Sequence, residues 1–267
     1  MKRKITENDF IIFKNYLYED EKSSFTVEKY MRDLRAFREF VGKRELCKAD
    51  VLSYKEMLGE KYAVASANSM LAAINKFFKF IGRLDLCIKQ FRVQKSAFCP
   101  AEKELTRDEY RRLVKAAEEK KNERLSLVIQ TICSTGIRVS ELSYITVEAV
   151  MCGQATVYCK SKTRTVLIIS ALRRKLLRYA KENKLSSGAI FRTKTGKPLD
   201  RCNVWREMKA LCDSAGVVRG KVFPHNLRHL FARVFYGIEK DIAKLADILG
   251  HSNINTTRIY IISYCIL

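Results

Sequence analysis

The sequence predicts a mainly α-helical protein of the α+β class, in which a four-helix domain precedes a mixed helical domain with a small antiparallel sheet. Three observations favour this class. Only 3 prolines and 11 glycines occur in 267 residues, so few positions interrupt a helix. Apolar residues recur at intervals of three and four, which is the period of a helix with one buried face. Two short runs rich in β-branched residues, 155–159 and 165–169, depart from that period and predict a hairpin.

The N-terminal part is expected to hold four helices. Thr6 followed by Asp9 predicts a capping box that opens the first helix. Thr26 precedes the apolar stripe of the second helix, and Asp50 is expected to cap a third that runs through Met57. The stripe of the second helix consists of Val27, Tyr30, Met31, Leu34, Phe37 and Val41. The stripe of the fourth consists of Met70, Leu71, Ile74, Phe77, Phe78 and Ile81. Three glycines are predicted to end helices: Gly42, Gly59 and Gly82.

A change of pattern at residues 88–101 predicts an interdomain linker. Polar residues there alternate with isolated apolar ones, and Pro100 closes the stretch. The predicted domains are therefore 1–87 and 102–267.

The second domain is predicted to open with another capping box, formed by Thr106 and Glu109. A more apolar helix over 125–133 is expected to end at Gly136. The hairpin follows, with a basic turn at 160–164 between its strands. Helices are expected to resume near five residues: Ala171, Arg201, His225, Asp241 and Ile254.

The charge of the chain points to a polyanionic partner. Lysine and arginine together number 51 against 29 acidic residues, which gives a net charge of +22. A folded protein tolerates such self-repulsion best when it binds a polyanion, so nucleic acid is favoured over an anionic membrane. A generic basic protein is the third alternative on charge alone. The segment 160–221 carries 17 basic and 4 acidic side chains, more than an ordinary solvated surface needs.

Two further patterns predict a cytoplasmic protein without membrane contact. The apolar runs are too short to span a bilayer, and the N-terminus lacks the apolar core of a signal peptide. The 9 cysteines include no Cys-x-x-Cys pair, so we expect reduced thiols rather than disulfides or a zinc site.

The histidines are concentrated near the end of the chain. All three lie in the last 43 residues, at His225, His229 and His251. His225 and Arg228 are one helical turn apart, and Tyr260 comes nine residues after His251. The spacing of His225 and His229 also fits a zinc pair. The residues between them include no glutamate base and place an arginine beside the pair, so zinc is disfavoured.

These residues resemble the tyrosine recombinases, also called phage-integrase-type site-specific recombinases. The matching elements, in the family's order, are Thr-Gly-Ile-Arg-Val-Ser-Glu-Leu (135–142), a lysine in the hairpin, His-Asn-Leu-Arg-His (225–229), Leu-Gly-His (249–251) and Tyr260. The four-helix part is similar to the family's core-binding, SAM-like domain, and residues 102–267 to its catalytic domain. Because no arm-binding domain precedes the four helices, the simple Xer-like form is expected.

The resemblance implies phosphoryl transfer on double-stranded DNA without a metal or any other cofactor. The implied catalytic residues are Arg138, Lys160, His225, Arg228, His251 and Tyr260. The two arginines and His251 would bind the oxygens of the scissile phosphate, where charge develops. The tyrosine would be the nucleophile, His225 would assist its proton, and the lysine would protonate the leaving 5′-oxygen.

Two of these assignments compete with nearby residues. Lys160 competes with Lys162, because the turn is one residue shorter than the family's Gly-Lys-Gly-x-Lys-x-Arg pattern; the first lysine is favoured. Tyr260 competes with Tyr264, and the nine-residue interval favours Tyr260. Glu141 matches the family's arginine motif and is expected to support packing or an active-site neighbour.

The activity implied is cutting and rejoining of DNA at specific sites, through a covalent 3′-phosphotyrosine and a Holliday junction. A homotetramer would assemble on paired inverted-repeat core sites, and a monomer in solution is compatible with this. Integration, excision, inversion and dimer resolution stay open. A type IB topoisomerase-like relaxing enzyme and a catalytically idle DNA-binding protein are the alternatives. For the seven residues after Tyr260, docking in trans, docking in cis and a truncated chain stay open.

Overall fold

The computed structural model describes residues 6–42, 45–92, 101–159, 162–193 and 195–261. It divides into two units, Met1–Lys95 and Ser96–Leu267. The predicted class is confirmed: the chain is mostly helical, with a two-stranded antiparallel sheet in the second unit.

The first unit is a bundle of four helices. They are α1 (Glu7–Glu19), α2 (Ser24–Val41), α3 (Lys48–Lys61) and α4 (Val64–Phe80), followed by a 3₁₀ turn at Leu84–Leu86. The apolar stripe of α2 is buried at Val27, Met31, Leu34, Phe37 and Val41, as its spacing predicts, and Tyr30 packs at the edge of the core. The core is rich in aromatic rings: Phe10, Phe13, Phe37, Tyr54, Phe77 and Phe78.

Two helix boundaries in this unit differ from the prediction. The capping box of Thr6 and Asp9 is confirmed, but α2 begins two residues before Thr26, because the hydroxyl of Ser23 accepts the Thr26 N–H. Asp50 is not the cap of α3. It lies inside the first turn, where its carboxylate accepts the N–H of Cys47 at 2.9 Å.

The third helix also continues past Gly59, where the sequence predicts its end. The ring of Phe91 lies against this glycine, at 3.0 Å from the place a Cβ would occupy. Gly59 therefore provides space for a packed aromatic ring rather than a helix end. Gly42 and Gly82 do follow helices, with φ of 72° and 74°.

The second unit packs helices against the hairpin. These are α5 (Arg107–Glu119), α6 (Glu123–Thr135), α7 (Val147–Cys152), α8 (Ser170–Glu182), α9 (Arg201–Lys209), α10 (Cys212–Ala215), α11 (Pro224–Glu239), α12 (Ile242–Leu249) and α13 (Ile254–Ile261). Its strands are β1 (Gln154–Cys159) and β2 (Lys162–Leu167). The capping box of Thr106 and Glu109 and the left-handed Gly136 at the end of α6 are confirmed. The sequence does not predict the short helices α7 and α10.

The second strand starts earlier than the sequence suggests. Ala155 pairs with Val166 and Val157 pairs with Arg164, so residues 162–164 belong to β2 and not to the basic turn. Charged residues have low strand propensity, but pairing with a partly buried β1 overrides it here. Residues 160 and 161 lie outside the described part of the chain.

The core of the second unit lies between α5, α6, α8 and α11, beside the inner face of the sheet. A smaller apolar cluster holds α13 against α11 and α12; it consists of Ala232, Leu245, Leu249, Tyr260 and Ile261. This cluster fixes the position of the last helix relative to α11. In the part of the chain that the structure describes, no helix is long and apolar enough to cross a membrane.

Candidate active site

Four chain segments of the second unit converge on one site. Arg138 precedes a 3₁₀ helix, Val139–Tyr144, and comes two residues after the left-handed Gly136. Pro224 occupies the first turn of α11, where it needs no N–H partner, and α11 carries Arg228 and the first two histidines. His251 follows α12, and Tyr260 lies on α13.

Arg228 is the most deeply buried of the charged groups, with 1% of its surface exposed. Its guanidinium donates to the carbonyl of Gly136 and, at 2.5 Å, to the carbonyl of Leu249. These carbonyls lie at the C-terminal ends of α6 and α12, where the helix dipole is negative. Burial, followed by the charge of Arg138, lowers the pKa of Arg228 to about 10. The group therefore remains a cation at neutral pH.

Glu141 joins two further arginines. Its carboxylate, 3% exposed, accepts the backbone N–H and the Nη1 of Arg138, both at 2.8 Å, and the Nη2 of Arg164 at 2.5 Å. Burial by itself would raise the pKa of Glu141, but the hydrogen bonds from Arg138 and the charge of Arg164 hold it below its ordinary value. With Arg228, the site thus contains three guanidinium groups and one carboxylate, which leaves it positive.

Gly250 allows Arg138 and Arg164 to reach the end of α12. Its φ is 65°, and a Cβ there would lie 2.6 Å from Cδ of Arg164. Arg164 donates to the carbonyl of Ile248 at 3.0 Å, and Arg138 donates to that of Gly250 at 3.3 Å. The glycine of the Leu-Gly-His element therefore has a steric role as well as a conformational one.

Tyr260 is surrounded by imidazole rings. Its hydroxyl lies 2.9 Å from Nε2 of His225. The ring of His229 lies against that of Tyr260, with centroids 4.0 Å apart, and the ring of His251 contacts it edge-on at 4.9 Å. The tyrosine is 6% exposed, so this cage fixes both its ring and its hydroxyl.

All three histidines are neutral at neutral pH. Burial is the largest cause of the lowered pKa of each histidine, followed by nearby positive charges or a neighbouring histidine. It lowers the pKa of His229 to about 3 and that of His251 to about 4. The pKa of His225 is also lowered, although its side chain keeps solvent contact. A neutral His225 can accept the phenolic proton of Tyr260 through Nε2.

A cavity of about 450 Å³ opens beside these groups. Its lining includes Arg138, His225 and Arg228 together with Arg201 and Trp205 of α9. Trp205 is 49% exposed. The sequence does not assign these two α9 residues to the catalytic set, because no local motif links α9 to segments so distant in the chain. The sequence also does not predict Arg164 as a site residue, because it places residues 160–164 in a basic turn.

The structure brings together five of the six predicted catalytic residues: Arg138, His225, Arg228, His251 and Tyr260. Lys160 lies outside the described residues. Lys162 lies on β2, but its side chain is outside the described part of the chain. Tyr264 also lies outside the described residues. Among the described residues, no group of three or more histidine, cysteine or acidic side chains could hold a metal ion.

Comparison with known proteins identifies the family. Residues 103–264 match the phage integrase family, and residues 11–83 match the phage integrase N-terminal SAM-like domain. The chain belongs to the phage integrase family. This recombinase is 30% identical over 259 residues to tyrosine recombinase XerA of Pyrococcus horikoshii, covering 93% of the chain and 86% of the relative. It is 25% identical over 272 residues to tyrosine recombinase XerC of Lactobacillus delbrueckii, covering 93% and 92%.

Solved structures have the same fold. A crystal structure of XerA recombinase matches the recombinase with a TM-score of 0.53 and 26% identity, over 96% of this chain and 93% of that one. A lambda integrase tetramer bound to a Holliday junction matches with a TM-score of 0.77 and 19% identity, over 97% and 78%. The family and its Xer relatives show that this protein is a tyrosine site-specific recombinase, an enzyme that breaks and rejoins DNA.

Proposed function

We propose that the recombinase cleaves DNA by attack of Tyr260 on a scissile phosphate, and that the residues gathered around this tyrosine form the catalytic site. The observation that carries the proposal is the 2.9 Å contact between the Tyr260 hydroxyl and Nε2 of His225, beside the cavity lined by Arg138 and Arg228. A nucleophile, a neutral base and two cations thus lie together. This is the set that metal-free phosphoryl transfer requires.

The arginines would bind the non-bridging phosphate oxygens. Arg138 is held by Glu141 yet keeps 32% of its side chain exposed toward solvent. Arg228 is almost fully buried, but its Nε has no acceptor among the residues that the structure describes, and the residue lines the cavity. A phosphate oxygen would supply that acceptor. Preorganised donors of this kind typically contribute a factor of about 10²–10³ in rate each.

In the proposed cleavage step the Tyr260 oxygen bonds to phosphorus while its proton passes to Nε2 of His225. The bond from phosphorus to the 5′-oxygen breaks, and that oxygen takes a proton from the general acid. The products are a 3′-phosphotyrosine and a 5′-hydroxyl. Rejoining is the reverse reaction, and the covalent bond to the tyrosine conserves the energy of the phosphodiester.

We assign the general acid to Lys160, with Lys162 as the alternative. A DNA substrate with sulfur in place of the 5′-bridging oxygen separates them, because a thiolate leaves without a proton. The Lys160→Ala variant should cleave normal DNA slowly and the sulfur substrate at the wild-type rate, and Lys162→Ala should show no such rescue. The opposite pattern would transfer the role to Lys162.

The proposed DNA target is a pair of core sites with inverted repeats, bound by four protomers that exchange strands through a Holliday junction. A lambda integrase tetramer on a Holliday junction supports this, as do XerH complexes with difH DNA. We propose residues 1–87 and 102–267 as the DNA-binding and catalytic domains, with the linker 88–101 between them; Ile88 and Phe91, at the start of this linker, pack on the core of the first unit. We also propose the cytoplasm as the compartment in which the enzyme acts.

A candidate DNA-facing surface lies between α2 and α4. A groove of about 580 Å³ there is lined by Lys29 and Arg32, by Asp33, which pairs with both, and by small residues such as Ser66 and Ser69. Basic side chains bind phosphates, and small ones let a helix approach the edges of the bases.

The proposed activity is tested with a suicide DNA substrate, nicked next to the cleavage point so that the short fragment with the new 5′-hydroxyl diffuses away and the adduct accumulates. Candidate sites are the short inverted repeats in the DNA that flanks the gene. The wild-type protein should form a covalent adduct that denaturing gels resolve, and Tyr260→Phe should form none. Tyr264→Phe is the matched control and should retain the adduct. An adduct that survives in Tyr260→Phe but disappears in Tyr264→Phe would contradict the assignment.

A further inference from the structure

Thr257 contacts the side of His251 that faces away from the arginines. Its side chain is fully buried on α13, and its Oγ1 lies 2.9 Å from Nδ1 of His251. The other ring nitrogen, Nε2, lies 3.1 Å from Nη2 of Arg228. Both nitrogens of the imidazole are therefore occupied in the free protein.

These two contacts fix the position of the imidazole proton. His251 is neutral at pH 7, since burial and Arg228 lower its pKa to about 4. A neutral imidazole has one donor and one acceptor nitrogen, and a guanidinium can only donate. Nε2 must therefore accept from Arg228, the ring proton is on Nδ1, and the oxygen of Thr257 accepts it.

The proposed reaction requires the opposite tautomer. A phosphate oxygen is an acceptor, so a neutral His251 can contact it only if Nε2 carries the proton. Nδ1 then becomes the acceptor and needs a donor on its far side. A threonine hydroxyl both donates and accepts, and rotation about its C–O bond changes one role into the other.

We propose that Thr257 is a positioning residue that supports both tautomers of His251, accepting from Nδ1 in the free enzyme and donating to it when Nε2 binds the scissile phosphate. This inference rests on the proposed function. The exchange is balanced: one proton leaves Nδ1 for water and one is taken from water at Nε2, so no net proton is bound. A side chain that can only accept would favour the tautomer of the free enzyme. A side chain that can neither donate nor accept would leave Nδ1 of His251 without a hydrogen-bond partner.

Two substitutions separate the hydroxyl from the shape of the residue. Thr257→Val keeps the shape and removes the hydroxyl, whereas Thr257→Ser keeps the hydroxyl. We expect Thr257→Val to lower the rate of covalent adduct formation by about 10–100-fold with little change in DNA affinity, and Thr257→Ser to stay near the wild-type rate. Thermal unfolding of both variants shows whether they are folded.

The decisive readout is the tautomer itself, from ¹⁵N chemical shifts of histidine-labelled protein, with His251→Gln identifying the signals of His251. The free wild-type protein should carry the proton on Nδ1, and the protein bound to its site should carry it on Nε2. A free protein with the proton already on Nε2, or a Thr257→Val variant with unchanged tautomers and cleavage, would overturn the inference while leaving the Tyr260 adduct intact. Failure of the wild-type protein to form any adduct would instead reject the proposed function and, with it, the bound-state half of the inference.

Discussion

Glu141 shows how one buried carboxylate organises cations that would otherwise repel one another. Arg138 and Arg164 both bind it, and both also donate to carbonyls at the end of α12. The sequence motif predicted support by Glu141 but could not name Arg164 as its second partner, because that contact joins a strand to a 3₁₀ helix. Removal of the carboxylate should therefore disturb Arg138, although Glu141 itself does not line the cavity.

The Glu141→Gln substitution should lower the rate of adduct formation by about 10–100-fold and the free energy of unfolding by about 2 kcal/mol. The pKa of Glu141 is lower in the folded protein than its ordinary value. Its carboxylate therefore stabilises the fold at pH values above the ordinary pKa. The stabilisation is lost as the pH falls through the folded-state pKa. Urea unfolding at several pH values should thus show wild type and variant converging in acid.

The matched control is Glu119→Gln, since Glu119 is exposed on α5. It should change neither the adduct rate nor the pH dependence. A stability difference between wild type and Glu141→Gln that is the same at pH 7 and in acid would contradict the charge argument.

At the scale of elements, two helix ends help to form the site. The C-terminal ends of α6 and α12 each present a carbonyl to Arg228, and each is followed by a glycine with positive φ, Gly136 and Gly250. A helix C-terminus is the place where unsatisfied carbonyls meet cations favourably. The motif glycines beside Arg138 and His251 therefore act through the geometry of these ends.

The Gly136→Ala substitution should test this role. Its φ is 64°, and a Cβ would lie 2.5 Å from the ring of Phe231 and 2.9 Å from Leu249. We expect about 1 kcal/mol from the backbone strain and about 1–3 kcal/mol more from the displaced side chains, measured by urea unfolding. Adduct formation should also fall, because the Gly136 carbonyl holds Arg228.

Gly216→Ala provides the control for backbone strain alone. Gly216 has a φ of 60° and open space where its Cβ would lie. The Gly216→Ala substitution should lower the free energy of unfolding only by the contribution of backbone strain, about 1 kcal/mol, and should leave cleavage unchanged. Equal losses of stability in the two variants would mean that the contacts with Phe231 and Leu249 have no energetic weight.

At the scale of the molecule, the sequence predicted the fold class, the four-helix bundle and most helix positions, because helical periodicity and capping boxes are local signals. It also predicted five residues, Tyr260 among them, that the fold brings into one site. It could not predict that Arg201 and Trp205 line the same cavity, since only the packing of α9 brings them there. Its errors at Gly59 and at β2 have the same origin: Phe91 and the pairing with β1 are tertiary contacts that propensity does not record.

The net charge of +22 predicts that DNA affinity falls steeply with salt, because each phosphate contact releases counterions. Arg201 lines the cavity from α9, so Arg201→Gln should remove one such contact and reduce the slope of log affinity against log salt by about 1. Lys115→Gln is the control, since the Lys115 side chain lies 3.7 Å from the carboxylate of Glu119 on the solvent face of α5. Fluorescence anisotropy over a series of salt concentrations measures both slopes. Equal slopes for wild type and Arg201→Gln would mean that Arg201 does not contact a DNA phosphate. The phosphate contacts in the cavity would then come from the catalytic residues only.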